Sequence, residues 1–148
     1  MCAVTGSVGR PRRILMVCLG NHCRSPFAAV VLASRGGSAV DVRSAGLRAK
    51  WVDQAAHADM IAAAAEHGFD LGEHRGVQVV PDLLAWADVV LAMDRAVLTE
   101  LREHADGQVV AKLALYLEDA DVPDPFGQSY DAFTTCVAVV LEGADRHL

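Results

Sequence analysis

The sequence contains no apolar run long enough to cross a membrane, because its longest uninterrupted apolar segments fall far short of roughly 20 residues. Residues 10–20 join a basic segment to a short apolar one, as signal peptides do. Polar residues follow directly, however, and no small-residue cleavage site is present. The apolar part is therefore interpreted as a buried strand, and we expect a cytoplasmic protein with no membrane partner.

Basic residues and cysteines are also few. Lys and Arg number 13 against 19 Asp and Glu, a formal net charge of −6, which argues against a nucleic-acid partner. Four cysteines in a cytoplasmic single-domain chain are expected to be free thiols. A zinc site built on Cys18, His22 and Cys23 would need further ligands in paired spacing, and no second Cys or His pair is present. No metal is therefore expected.

Repeats, low-complexity tracts and linkers are absent after the first dozen residues. Residues 1–12, rich in Gly, Ser, Pro and Arg, predict a flexible leader, and residues 13–148 predict one domain. Short β-branched segments alternate with longer helical patterns, which indicates βαβ units. We expect an α/β fold: a single three-layer domain with a central four-stranded parallel sheet and helices on both faces. Predicted strands cover 13–17, 40–46, 88–94 and part of 108–117, and predicted helices cover 25–36, 55–68, 81–87, 95–105 and 131–148.

The segment VCLGNHCRSP, residues 17–26, lies where the first predicted strand meets the first helix. Cys18 ends the strand, and Ser25 and Pro26 have the residue types of a helix N-cap and first helical position. Gly20 permits a close turn of the backbone, and Asn21 tolerates left-handed geometry. Successive N–H groups of such a loop, together with the helix N-terminus, form a nest for an oxyanion.

Cys18 and Arg24 give this loop its predicted chemistry. Arg24 supplies a planar fork that matches two phosphate oxygens. A thiol at a helix N-terminus beside an arginine is substantially thiolate at neutral pH. The loop would thus hold a tetrahedral oxyanion against a sulfur nucleophile, which predicts covalent phosphoryl transfer. An inert buried cysteine is the alternative for Cys18 alone, but the strand, the C-x5-R spacing and the helix start together are more specific than any one of them.

This segment resembles the signature V-C-x-G-N-x-C-R-S-P of the low-molecular-weight protein tyrosine phosphatases. The motifs SAG at 44–46, AMD at 92–94 and PDPF at 123–126 follow in the order of that family, so the resemblance covers about 13–148. It implies hydrolysis of phosphotyrosine on a phosphorylated protein through a phosphocysteine intermediate, with no cofactor. Inorganic phosphate would be both product and inhibitor.

The resemblance also assigns roles to individual residues. Cys18 is the nucleophile, Arg24 clamps the phosphate, and Asp124 is the general acid and later the base, although a turn residue is the alternative for Asp124. Ser44 supports the loop asparagine. Cys23 is either a packing residue or the partner of Cys18 in a reversible disulfide. The predicted phosphate-binding residues are Leu19, Gly20, Asn21, His22, Cys23 and Ser25, the last also bonded to the thiolate.

Several positions depart from the family pattern. His22 stands where tyrosine-specific relatives usually carry an apolar residue and phosphoarginine-specific ones threonine. We place it at the pocket rim, and a side chain that points to solvent is the alternative. Phe126 and Trp51 are expected to wall a slot for a phenyl ring, although a core or surface packing residue is the alternative for Trp51. Leu47 resembles a bacterial subgroup linked to capsule and exopolysaccharide tyrosine kinases, which suggests such a kinase as partner. Val77 replaces a family arginine.

Three alternatives remain at this stage. The stretch DPFG resembles the protein arginine phosphatases. Arsenate reduction is disfavoured, because it passes a disulfide to downstream cysteines and only Cys136 lies downstream. A non-catalytic phosphate-binding module would be indicated by loss of Cys18, Arg24 or Asp124, and all three are present. His57, His67 and His104 carry no partner pattern and are assigned to the surface.

Overall fold

The computed structural model describes residues 10–148, so most of the predicted leader, residues 1–9, lies outside the described residues. The strands are β1 (Arg12–Cys18), β2 (Val40–Gly46), β3 (Val89–Ala92) and β4 (Leu113–Leu115). The helices are α1 (Arg24–Gly36), α2 (Ala58–Ala65), α3 (Pro81–Trp86), α4 (Arg95–His104), α5 (Gly107–Val110) and α6 (Tyr130–Ala144), with 3-10 turns at Gly37–Ala39 and Asp145–His147.

The four strands form one parallel sheet in the order β2-β1-β3-β4. The central strand β1 is fully buried from Ile14 to Val17, as expected of a strand covered on both faces. Ile14 and Met16 pack with α1, α2 and α6, whereas Leu15 and Val17 pack with α3 and α4. The predicted three-layer α/β domain is therefore confirmed.

Strand register brings distant segments to the carboxyl edge of the sheet. Cys18 pairs with Gly46, and Val17 pairs with Ala92. The Met93 amide donates to the Val17 carbonyl at 2.9 Å, and the Val122 amide donates to the Met93 carbonyl at 2.8 Å. The segments after β1, β2, β3 and β4 therefore meet at one edge, which is where open α/β sheets bind ligands.

Several predicted boundaries are wrong. Helix α1 begins at Arg24, with Cys23 at the N-cap position and no side-chain cap, because the Ser25 hydroxyl is used inside the loop. Helix α6 begins at Tyr130, so Asp131 lies in its first turn and Ser129 precedes it. The predicted strand within 108–117 shortens to β4 because Asp106 caps the one-turn helix α5 instead.

The helices of the described residues are short. None of those within 10–148 is both long and apolar enough to cross a membrane.

Candidate active site

The loop between β1 and α1 wraps its backbone around the Cys18 sulfur. Asn21 has a φ of 54°, in the left-handed region, and its amide donates to Cys18 Sγ at 3.2 Å. Ser25 Oγ lies 3.0 Å from the same sulfur and accepts from Asn21 Nδ2 at 2.9 Å. Because that amide nitrogen can only donate, the Ser25 hydroxyl proton is available to a Cys18 thiolate.

Asn21 fixes the shape of the loop through every polar group that it carries. Its Nδ2 also donates to Ser44 Oγ on β2 at 2.9 Å, and its Oδ1 accepts from the Val77 amide at 2.9 Å. His74 Nε2 donates to the Asn21 carbonyl at 2.9 Å. The contact with residue 77 is made by its backbone, so it does not depend on the valine that replaces a family arginine.

Arg24 lies at the floor of the site with 3% of its surface exposed. Its Nη1 donates to Asp94 Oδ2 at 2.7 Å and to the Val122 carbonyl at 3.0 Å. Its Nη2 lies 3.8 Å from Asp124 Oδ2. Burial lowers the pKa of Arg24, but the charge of Cys18 and the two carboxylates raise it, and the net shift is upward. The guanidinium is therefore a permanent, fixed cation beside the sulfur.

Asp94 was not predicted as a site residue. Its Oδ1 also accepts from the Val97 amide at 2.8 Å and caps α4, so one carboxylate anchors both a helix and the buried arginine. The sequence signal was an aspartate two residues after a buried strand, within the AMD motif. His74 was likewise not predicted as a site residue.

Asp124 is placed on an exposed loop opposite Arg24. Its Oδ1 accepts from the Phe126 amide at 3.0 Å, the short-range bond typical of an Asx turn, and its Oδ2 faces the guanidinium. A cavity of about 340 Å³ opens between this loop and the cysteine loop. Its lining includes Cys18, Arg24, Asp124, Phe126 and Trp51, together with Leu19, Gly20, His22, Cys23, Arg48 and Lys50.

His22 and Trp51 form one wall of this cavity. Their rings stack with centroids 3.9 Å apart and planes 2° apart, and Phe126 meets the pair edge-on at 6.0 and 5.8 Å. Glycine at position 20 leaves room for the Trp51 ring, because a Cβ there would lie only 2.7 Å from Trp51 Cδ1. Burial, followed by the charge of His57, lowers the pKa of His22, which favours the neutral imidazole.

The assignment of His57 to the surface is wrong. This residue is half-buried; its ring lies 5.4 Å from His22, 5.9 Å from Phe126 and 4.6 Å from Phe133. Its Nδ1 accepts from the Asp59 amide at 3.0 Å and caps α2. His67 and His104 are exposed. A histidine just before an alanine-rich helix was the available signal.

The other cysteines of the core are buried free thiols. Burial raises the pKa of Cys23 strongly and that of Cys136 to about 12, so both stay protonated at neutral pH. Only Cys18 among the described cysteines has the Asn21 amide, the Ser25 hydroxyl and the charge of Arg24 beside its sulfur. Residues 10–148 contain no group of three His, Cys, Asp or Glu side chains arranged to hold a metal ion.

This fold and loop define a cysteine-based phosphatase: the sulfur ends a parallel strand inside a loop of amides, a buried arginine lies beside it, and a carboxylate faces it. Comparisons with known proteins agree. The model of the family "Low molecular weight phosphotyrosine protein phosphatase" matches residues 13–148. The chain therefore belongs to the low-molecular-weight protein tyrosine phosphatase family.

Individual relatives cover nearly the whole chain. A probable low molecular weight protein-tyrosine-phosphatase, EpsP of Ralstonia nicotianae, is 33% identical over 135 residues, 90% of this chain and 92% of that protein. The structure of Vibrio vulnificus Wzb in complex with benzylphosphonate has a TM-score of 0.86 and 30% identity, covering 92% of this chain and 96% of that one. A protein-arginine-phosphatase of Geobacillus stearothermophilus is 34% identical over 128 residues, 83% of this chain and 84% of that protein.

Proposed function

We propose that residues 13–148 form one domain that hydrolyses phosphotyrosine on proteins through a phosphocysteine intermediate on Cys18. The observation that carries the proposal is the position of Cys18 Sγ, 3.0 Å from Ser25 Oγ and 3.2 Å from the Asn21 amide nitrogen. It faces the cavity that Arg24 and Asp124 also line. A sulfur in this setting is held for attack on a bound oxyanion.

In the first half-reaction the Cys18 thiolate attacks phosphorus in line. The S–P bond forms as the P–O bond to the tyrosine breaks, while Arg24 and the loop amides hold the equatorial oxygens. The leaving phenolate would have a pKa near 10, so it departs more readily if it is protonated. Asp124, in its carboxylic acid form, donates that proton.

In the second half-reaction water attacks the phosphocysteine. Asp124, now a carboxylate, takes a proton from the water as the new P–O bond forms and the S–P bond breaks. The Ser25 hydroxyl, whose oxygen accepts from Asn21, donates to the sulfur and stabilises the departing thiolate. Inorganic phosphate is the product, and it would inhibit by rebinding to the same amides and Arg24.

The aromatic wall supports a flat aryl substrate. The stacked pair of His22 and Trp51 and the edge of Phe126 enclose a slot above the cysteine, and aromatic rings prefer stacked or edge-on contacts of this kind. The protein-arginine-phosphatase relative and the Phe126-Gly127 pair after Asp124-Pro125 favour phosphoarginine as the second candidate substrate.

The rates of phosphate release from matched phosphotyrosine, phosphoarginine and phosphoserine peptides distinguish a tyrosine phosphatase from an arginine phosphatase. We expect phosphotyrosine to be preferred, Cys18→Ser to abolish turnover, and Asp124→Asn to lose most of it. A preference for phosphoarginine would keep the loop chemistry and overturn the substrate. If the wild type binds phosphate but releases none from any peptide, the site is a binding module and the catalytic proposal fails.

A bacterial tyrosine kinase is the partner that we propose, in the cytoplasm. This rests on the resemblance carried by Leu47, whose amide donates to the Cys18 carbonyl at 3.1 Å beside the active site. The test is phosphate release from an autophosphorylated tyrosine kinase of the same organism. Turnover no faster than that of an unrelated phosphotyrosine protein would contradict the partnership.

A further inference from the structure

A second cavity, of about 420 Å³, lies beside the active site, and we call it the lateral cavity. It opens between α3, α4 and α5. Its apolar part is made by Leu47, Val79, Val80, Leu84, Leu101 and Val109. Val80 is 48% exposed, so the cavity presents apolar surface to solvent that nothing within the described chain covers.

The lateral cavity shares a wall with the active site. Leu47 lines the lateral cavity. The next residue, Arg48, lines the cavity of about 340 Å³ that contains Cys18, which we call the active-site cavity. The Arg48 amide donates to the Leu19 carbonyl of the cysteine loop at 2.9 Å. Arg48 Nη2 donates to Glu100 Oε1 at 2.9 Å, and Glu100 lines the lateral cavity. A substrate peptide that extends from the active site across Arg48 would therefore reach the lateral cavity.

The charged side chains of the two cavities differ in balance. Arg24, Arg48 and Lys50 line the active-site cavity with one carboxylate, Asp124, whereas Asp82, Glu100 and Asp106 line the lateral cavity with His104, and Glu100 is paired with Arg48. Lys112 binds the carbonyls of Leu84 and Ala85, toward the other end of α3 from Asp82. The surface thus favours a chain that carries an anion at one point and a cation a short distance away.

We propose that the lateral cavity docks the substrate protein itself, taking one apolar side chain and an adjacent basic residue from the segment that flanks the phosphotyrosine. This inference rests on the proposed function and deepens it. The wall shared through Leu47 and Arg48 makes the substrate the occupant, and the carboxylate of Asp82 selects the basic neighbour. Burial of the apolar side chain supplies affinity, so docking acts on KM and leaves the chemistry of Cys18 unchanged.

The test compares phosphotyrosine peptides that carry a Leu-Lys pair at successive positions on either side of the phosphotyrosine with a peptide that carries Ala-Glu instead. At one spacing we expect KM to fall by about tenfold with kcat unchanged, the scale for burying one apolar side chain. Val80→Glu should remove this gain, and turnover of phenyl phosphate, which has no flanking chain, should not change. Val110→Glu is the matched control, because Val110 is 42% exposed and lies outside the cavity lining.

A charge reversal tests the basic neighbour separately. Asp82→Lys should raise KM for the Leu-Lys peptide and lower KM for the corresponding Leu-Glu peptide. Glu103→Lys provides the control, since Glu103 is exposed on α4 but does not line the cavity. An equal effect of both substitutions would show general electrostatics and overturn the assignment of Asp82.

The outcomes separate this inference from the proposed function. If phenyl phosphate is hydrolysed but no Leu-Lys spacing lowers KM, or if Val80→Glu and Val110→Glu behave alike, the docking site is overturned and the phosphatase remains. If the wild type hydrolyses neither phenyl phosphate nor any peptide, the proposed function fails and the docking site with it. Self-association that Val80→Glu abolishes, with peptide KM unchanged, would assign the cavity to a second copy of the chain.

Discussion

Arg24 and Asp94 form a charged pair across 70 residues of sequence, with Nη1 and Oδ2 2.7 Å apart. The arginine side chain is 4% exposed and the aspartate 19%, so the pair is largely shielded from water. Buried pairs of this kind are costly to break from one side, because an uncompensated charge is left behind. Asp94 thus orients the guanidinium that we propose to clamp the phosphate.

Asp94→Asn tests this positioning role. Asparagine keeps an oxygen to cap α4 at the Val97 amide but removes the charge that holds Arg24. We expect kcat/KM for phosphotyrosine to fall by about tenfold to a hundredfold, the range of a displaced positioning group. The melting temperature should fall as well, because the buried Arg24 loses its charged partner.

Asp121→Asn is the matched control, because Asp121 is an exposed carboxylate that accepts from the Arg95 amide. Equal losses in the two variants would contradict a specific role for Asp94. Asp94→Ala should additionally lose the cap, which costs about 1 kcal/mol of stability.

The stability of the fold should decrease at mildly acid pH. Burial lowers the pKa of His22, His74 and His147, so each binds a proton more weakly in the folded state than in the unfolded one. Their contribution to stability is fully present above the ordinary histidine pKa of about 6.5 and is lost as pH falls toward the lower pKa values of the folded state. Urea unfolding at a series of pH values should show the free energy of unfolding falling below about pH 6.5.

His22→Phe should flatten this dependence while keeping an aromatic ring against Trp51. The slope should decrease by no more than about 1.4 kcal/mol per pH unit, the limit for one proton. His67→Asn, at an exposed position, should leave the slope unchanged. An identical slope in His22→Phe would contradict the contribution of His22.

The cysteine loop could be predicted from the sequence because its contacts are local. Cys18, Asn21 and Ser25 lie within eight residues, and the strand before and helix after them fix the loop ends. The Arg24–Asp94 pair could not be predicted in the same way, because it depends on β1 and β3 being neighbours in the sheet. His57 was missed for a related reason: its burial comes from the packing of α2 against α6, which no short motif encodes.

Gly20→Ala should damage substrate binding through Trp51. The new Cβ would lie 2.7 Å from Trp51 Cδ1 and 3.2 Å from Nε1, so the indole must move and its stack on His22 must change. We expect KM for phosphotyrosine peptides to rise about fivefold to tenfold, the effect of losing one aromatic contact. Indole fluorescence in a Trp86→Phe background should shift with it.

Gly107→Ala is the control for this substitution, since nothing lies within 4 Å of the position of its Cβ. Its KM should equal that of the wild type. A Gly20→Ala protein with unaltered fluorescence and KM would show that the loop accommodates the methyl group without moving Trp51.

Oxidation should join Cys18 to Cys23. Both thiols line the active-site cavity and both are buried. Peroxide would convert the Cys18 thiolate to a sulfenic acid, and the Cys23 thiol would then displace water from it to form a disulfide. We expect peroxide inactivation of the wild type to be reversed by dithiothreitol. In Cys23→Ser most of the loss should become permanent, because the sulfenic acid oxidises further.

Cys136→Ser is the control, because Cys136 is a buried core thiol outside the active-site cavity. It should recover as fully as the wild type. Intact mass after peroxide treatment should show the loss of two hydrogens in the wild type and in Cys136→Ser, and the addition of two or three oxygens in Cys23→Ser. If Cys23→Ser recovers as completely as the wild type, Cys23 is a packing residue, and its burial beside Cys18 serves the core alone.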